Sequence, residues 1–255
     1  MATLHSIQSG NFTSASTWGV VDTTSLLNSQ AGTTTLTTSA VASSTFTPGA
    51  ITISGVAVLV ARRASVPTGT FTLQLYNNTT TTVVTSVTVN ITDIAVLTSS
   101  TPMWVYMKFS SSVTLTAGQA YAIRCLTSSS SQLTLYRNAT AANYSRLLIT
   151  TTTAAPAAAD DLFIGGEYTA AATNATYTVT MDSTSNATAY GAITISGKGE
   201  LKYGTSASTN YQLKIAGNLN IYLGGLFQIG DSGTPIPSTS TARFEISCTT
   251  PGQFF

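Results

Sequence analysis

Residues 201–230 read LKYGTSASTNYQLKIAGNLNIYLGGLFQIG, and this stretch decides the fold prediction. Apolar residues take alternate positions in short runs, and glycines close the runs. Alternation with a period of two is typical of β-strands, whose successive side chains point to opposite faces. Glycine suits the tight bends between such strands because it has no side chain to clash. The stretch therefore predicts short strands joined by sharp corners.

A two-part pattern recurs around this stretch. Residues 193–197 (ITISG) are echoed twenty residues later by residues 213–217 (LKIAG), and residues 199–204 (GELKYG) are echoed by residues 225–230 (GLFQIG). A motif that returns after about 20–26 residues indicates a β-solenoid, in which each turn buries its apolar face on the next. Residues 177–181 are expected to form the preceding turn or a cap. The expected inward side chains are Leu213, Ile215, Leu219 and Ile221.

A different pattern, over residues 49–150, predicts a β-sandwich. Phe71, Leu73 and Leu75 alternate strictly with polar residues, directly after the turn sequence SVPTGT. Similar short strands follow about every ten residues, and no helical pattern separates them. Regularly spaced short strands with turn signals between them are typical of antiparallel sandwiches. The fold prediction is therefore all-β, a jelly-roll sandwich followed by a short β-solenoid.

The composition narrows the class of protein. Charged residues are only 7% of the chain, against about 25% in typical soluble domains. Serine and threonine make up nearly a third of it, and their hydroxyls hydrate a surface without charge. The longest apolar run, residues 56–61, is far shorter than the ~20 residues of a membrane-spanning helix. A net charge of +1 argues against nucleic acid as a partner. The composition suits an extracellular or virion protein whose neighbours pack side by side.

Four residues are candidates for contact with a glycan or a protein. Trp104, Tyr106 and Lys108 alternate with an apolar set in residues 103–109, so they are expected on the outward face of one strand. Exposed aromatic rings beside a cation stack on sugars or anchor protein neighbours. Trp18 lies in a predicted N-terminal arm and could dock on a neighbour. The alternative is that a loop, or the arm with Trp18, covers this face.

The sequence predicts no catalytic residues, no cofactor and no metal site. His5 is the only histidine, so neither a serine–histidine triad nor a multi-histidine metal site can be assigned. A pair of carboxylates is the remaining option for acid–base chemistry, as in glycosidases, although spacing alone brings no two of them together. The carboxylates considered are Asp182, Glu200, Asp231 and Glu245.

The sequence resembles two kinds of module found in virion and surface proteins. SSVTLTAGQAYAIRC, with TISGVAVLVARRASVPTGTFTLQLYNN upstream, resembles jelly-roll modules of phage virion proteins and bacterial surface proteins, which are similar in architecture to carbohydrate-binding modules. Residues 160–250 resemble the right-handed β-helix starts of phage tail and fibre proteins, and the related G8-type modules. The resemblance implies a bacteriophage structural protein.

These observations together predict four segments and a role. The segments are an N-terminal arm with a Thr/Ser-rich stretch (1–48), the jelly-roll sandwich (49–150), an Ala/Thr/Pro linker (151–161) and the solenoid-like region (162–255), with its continuation beyond the chain left as an open alternative. Residues 1–19 carry no secretory signal, which fits a protein released within a virion. We expect a non-enzymatic fibre, spike or capsid decoration subunit, a homotrimer contacting capsid or tail proteins and host-surface glycans. The alternatives are a bacterial carbohydrate-binding adhesin and a glycan depolymerase tailspike.

Overall fold

The computed structural model describes residues 2–22, 32–43, 45–63, 68–94, 103–130, 132–137, 145–169, 175–182, 184, 188–222, 224–230 and 233–246. Over these residues the protein is all-β, as predicted, with twenty strands and two 3-10 helices at Ala15–Thr17 and Ile91–Asp93. No helix in this part of the chain is long and apolar enough to cross a membrane. In chain order the strands are β1 (Thr3–Ser6), β2 (Gly10–Asn11), β3 (Trp18–Asp22), β4 (Gly32–Thr35), β5 (Val41–Ala42), β6 (Ile51–Arg62), β7 (Thr70–Asn77), β8 (Thr82–Asn90), β9 (Met103–Leu115), β10 (Tyr121–Thr127), β11 (Leu133–Arg137), β12 (Ser145–Thr153), β13 (Asp161–Gly165), β14 (Tyr177–Met181), β15 (Ile193–Ser196), β16 (Gly199–Tyr203), β17 (Asn210–Ile215), β18 (Leu219–Ile221), β19 (Leu226–Gln228) and β20 (Thr241–Ile246).

The chain divides into two compact units that do not follow the predicted boundaries. Unit 1 comprises Met1–Val20, Thr152–Gly166 and Thr176–Phe255, and unit 2 comprises Val21–Thr151 and Glu167–Ala175. The segment 1–48 that was predicted as an arm is therefore shared between the units. The predicted linker, 151–161, begins inside β12 and ends at the first residue of β13.

The start of the chain is part of a core and not a free arm. Strand β1 pairs in parallel with β13, and its neighbour β3 runs antiparallel to it. Leu4, Phe12 and Trp18 are fully buried in the hydrophobic core of unit 1. The arm prediction was wrong for this part because the three large apolar side chains, spread over fifteen residues, gave no clear period.

Unit 2 is an antiparallel β-sandwich built from two sheets. In one sheet β6 pairs with β9, β11 and β12, and β4 pairs with β11. The other sheet has the strand order β5-β10-β7-β8. The predicted inward set of β7 is confirmed, since Phe71, Leu73 and Leu75 are fully buried and alternate with half-exposed residues. Strand β6 is buried on both faces at its centre, as its continuous apolar run predicted.

Unit 1 is organised by three ladders of parallel strands. The first ladder contains β1, β13, β15 and β18, and the second contains β2, β14, β16 and β19. The third pairs β17 with β20, and Tyr190 forms an isolated parallel bridge to Ile215 of β17. From Asp161 onward the chain visits the ladders in the same order three times. The parallel pairing brings together residues that lie 22 to 31 positions apart in sequence.

One half of the predicted repeat has the right register and the other half does not. Leu201 pairs with Phe227, as the echo of residues 199–204 in residues 225–230 predicted. Ile193 pairs with Leu219 and not with Leu213, because β17 belongs to the third ladder. Strands β17 and β18 alternate in the same way, so the spacing of twenty residues between β15 and β17 was misread as the spacing of lateral partners.

Two glycines mark equivalent corners of this repeat. A Cβ atom placed on Gly199 would lie 2.2 Å from the carbonyl oxygen of Ile164, and one on Gly225 would lie 2.6 Å from that of Ile195. Both distances are well below van der Waals contact. Because Ile164 and Ile195 are lateral partners, the same close approach recurs at the next strand of the ladder. The requirement for glycine at these two corners is therefore steric.

Candidate functional site

The predicted aromatic platform on β9 is not exposed. Trp104 and Tyr106 retain only 9% and 3% of their surface, and the intervening Val105 is fully buried. The Tyr106 hydroxyl lies 2.6 Å from the hydroxyl of Ser54, and burial raises the pKa of Tyr106 well above its ordinary value. The outward-face prediction was wrong for both aromatic residues because this strand, like β6, is covered on both faces. Neither ring can stack on a sugar in this structure.

Lys108 is the exposed member of the predicted platform, and it is already paired. Its ammonium group donates to the Glu167 carboxylate at 2.5 Å, with 37% of the lysine side chain exposed. The segment that carries Glu167 runs along β9, where Tyr168 N–H donates to the carbonyl of Tyr106 and Lys108 N–H donates to that of Tyr168. The lysine therefore anchors this segment to the strand, and a ligand would have to compete with a bound carboxylate.

Trp18 also has a structural role. Its side chain is fully buried, its indole N–H donates to the carbonyl oxygen of Phe12 at 2.7 Å, and the two rings meet edge to face at 5.5 Å. Phe12 packs in the same way against Tyr190, with ring centroids 5.0 Å apart. The aromatic cluster closes the core of unit 1, so the prediction of a docking role for Trp18 was wrong.

The described carboxylates that were considered for catalysis each bind different partners. Asp182 accepts bonds from the backbone and side chain of Thr13, and Glu200 accepts one from Thr178. Glu245 is bound by Lys214 and Arg243, and hydrogen bonding from Lys214 is the main reason why its pKa is lowered. Asp231 lies outside the described residues. These three carboxylates therefore connect neighbouring segments through hydrogen bonds and ion pairs.

His5 and Cys125 are buried among the strands. His5 Nδ1 lies 2.7 Å from the carbonyl oxygen of Ser6, and its ring stacks on Phe163. Cys125 is a free thiol in β10, and burial raises its pKa to about 12. No three residues among the described histidines, cysteines and acids lie together as metal ligands.

A polar row crosses the outward face of the second ladder. Thr180, Lys202 and Gln228 are lateral partners on β14, β16 and β19, so their side chains occupy the same position on three successive strands. Neighbouring strands lie about 4.8 Å apart, so the row extends roughly 10 Å across the sheet. On the opposite face of these strands, Val179 and Leu201 are fully buried. The alternation thus separates an apolar core from a polar row.

This row forms the floor of a pocket of about 250 Å³, which we call the ladder pocket. Its walls come from the segments that follow β16 and β19. Hydroxyl groups, an amide and an ammonium line it, and no acidic side chain does so among the described residues. The lining residues are Thr180, Lys202, Tyr203, Gly204, Thr205, Gln228, Gly230 and Thr234.

A second feature is the open end of the three ladders. In the inward row of the first ladder, Ile164 and Ile195 are 1% and 0% exposed, whereas their partner Ile221 on β18 is 50% exposed. The second ladder repeats the trend, because Phe227 is only half-buried beside fully buried Leu201. Among the residues that the structure describes, strands β18, β19 and β20 are the last of their ladders. Within the described part of the chain, the core therefore continues to these last strands and is not covered there.

The sequence prediction missed both features. Ile221 was assigned to the inward set, and its position in an inward row agrees, but no described strand beyond β18 covers it. The ladder pocket was missed because its floor residues are 22 and 26 positions apart in the chain. The signal was available: the correct echo of Leu201 and Phe227, extended by one residue, aligns Lys202 with Gln228.

Comparison with known proteins adds little. The chain matches no protein-family model and no curated protein sequence. Among solved structures it is similar to the crystal structure of the Agl-KA catalytic domain, at 13% identity and a TM-score of 0.23. That alignment covers 97% of this chain and 49% of the other, so the chain spans about half the length of that protein. A similarity this low carries no argument about fold or function.

Proposed function

We propose that the chain is a non-enzymatic structural subunit of an extracellular assembly. The kind of assembly that fits best is a virion, with the chain as a phage fibre, spike or capsid decoration protein. The observation that carries the proposal is the open end of the three ladders, where the described residues leave inward rows uncovered. Unit 1 then represents the first turns of a β-solenoid whose last turn is covered in the assembly.

The chemistry of this end favours another copy of the same chain as its cover. Unpaired edge strands invite pairing with other chains, and many natural proteins block them with charge or proline. Strands β18 and β19 carry no charged residue and no proline. Exposed Ile221 and Leu226 add apolar surface beside these edges. Strands β18 and β19 can therefore meet the next copy without like-charge repulsion, and a closed trimer built from such head-to-tail contacts is the state that we propose.

The surroundings of the carboxylates support a role without catalysis. A glycosidase needs two carboxyl groups that face one bond about 5–9 Å apart. Asp182, Glu200 and Glu245 are instead held by three different sets of partners in unit 1. Incubation with capsular polysaccharides should therefore release no reducing ends. Turnover that is lost in Asp182→Asn would contradict the proposal and favour a depolymerase.

Immunogold electron microscopy distinguishes a virion protein from an adhesin. Antibodies against the chain should label particles released by lysis of the host cell. Labelling of the cell envelope, with unlabelled particles, would instead identify a surface adhesin. Light scattering provides the biochemical test, because a stable monomer at all concentrations would argue against an assembled subunit.

A further inference from the structure

We infer that the ladder pocket binds one residue of an acidic saccharide, a sugar ring that carries a carboxylate. The inference rests on the proposed surface role and names a site and a ligand class for it. Three features of the pocket support this inference: its size, its hydrogen-bonding groups and a lysine that pairs with no described residue.

The size of the pocket fits a single sugar ring. Pockets for drug-sized ligands typically measure about 300–1,000 Å³, and this one measures about 250 Å³. The floor row of Thr180, Lys202 and Gln228 extends roughly 10 Å, because it crosses two strand spacings of about 4.8 Å. A longer glycan would therefore place one ring over the floor and leave its neighbours in solvent.

The hydrogen-bonding groups suit a polyhydroxylated ligand. Thr180 and Thr205 offer hydroxyl groups that both donate and accept, and Gln228 offers an amide with both functions. The Tyr203 hydroxyl is not available, since it donates to the carbonyl oxygen of Arg243 at 2.7 Å. Its ring packs edge to face against Tyr211, and this contact supports one wall of the pocket. Sugar hydroxyls have matching partners on the floor and on one wall.

Lys202 sets the preference for an acid. Lys108 and Lys214 form ion pairs with Glu167 and Glu245, whereas Lys202 has no ion pair or hydrogen bond with any described residue. The nearest acid in sequence on the same face, Glu200, is bound by the Thr178 hydroxyl at 2.6 Å. An ammonium group that pairs with no described residue and lies beside hydroxyl groups favours a carboxylate, because charge-assisted hydrogen bonds are the stronger ones.

The test compares an acidic and a neutral oligosaccharide by saturation-transfer NMR and titration calorimetry. The probes are a trisaccharide of galacturonic acid and the matching trisaccharide of galactose. We expect the acidic probe to bind and the Lys202→Gln variant to bind it about tenfold or more weakly. Lys198→Gln is the matched control, since this lysine lies in the same unit but outside the pocket. Thermal melting should show that both variants are folded.

Each outcome decides between the inference and its rivals. The inference is overturned if the folded wild-type chain binds neither probe, or if both lysine variants lose binding equally. It is also overturned if inorganic phosphate displaces the acidic probe at equal concentration, because the site would then recognise only charge. Light scattering distinguishes a failure of this inference from a failure of the proposed function, since the Lys202→Gln variant should remain assembled. A chain that binds the sugar as a monomer would contradict the proposed function alone.

Discussion

Replacement of Ile221 by alanine should weaken self-association without unfolding the subunit. Ile221 continues an inward row whose earlier members are fully buried, yet half of its own surface is exposed. Full burial of an isoleucine side chain contributes about 1.5–3 kcal/mol. The exposed half that assembly would bury is therefore worth about 0.8–1.5 kcal/mol at each interface. This loss corresponds to a roughly 4- to 12-fold weaker association constant per interface.

Sedimentation equilibrium over a wide concentration range measures this change directly. Val83→Ala is the matched control, because Val83 is 47% exposed but lies on the edge strand β8 of unit 2. Its association should equal that of the wild type. Equal association for Ile221→Ala and the wild type would refute the reasoning, and so would an equal loss in both variants.

Three further predictions concern packing. Gly199→Ala should destabilise unit 1 by about 1–3 kcal/mol through steric overlap, whereas Gly49→Ala, which meets no atom within 4 Å, should be neutral in the same urea titration. Tyr106→Phe should cost about 1–2 kcal/mol, because it leaves a buried hydroxyl partner unsatisfied; unchanged stability would show that the hydroxyl is hydrated instead. In a Cys248→Ser background, Cys125 should resist a thiol reagent at pH 8, because its pKa of about 12 keeps it protonated. Rapid labelling of the folded chain would contradict the burial of this thiol.

Alternation of apolar residues was enough to predict strands where one face of a strand meets solvent. Phe71, Leu73 and Leu75 are an example, since half-exposed residues separate them. The same rule failed for Trp104 and Tyr106, where both faces of the strand are covered. A strand in the middle of a sandwich carries large residues on both faces. Its sequence therefore cannot distinguish a buried face from a binding platform.

The register of the parallel ladders could be predicted only in part. Glycine marked the corner at the first residue of β16 and again just before β19, because a side chain at either position would clash with a backbone oxygen. These fixed points gave the correct pairing of Leu201 with Phe227. No comparable marker distinguished β17 from β18, and Ile193 was aligned with the wrong strand. The ladder pocket depends on this register, so it became visible only in the structure.

Hydrogen–deuterium exchange at several protein concentrations tests most directly whether another copy covers the open end of the ladders. The backbone amides of β18 and β19 should exchange more slowly as the 26.4 kDa chain assembles, because their open edges become paired or buried. The amides of β8, an edge strand of unit 2, serve as the internal reference and should not change. Identical exchange of β18 and β19 at every concentration, with the mass of a monomer throughout, would contradict the account.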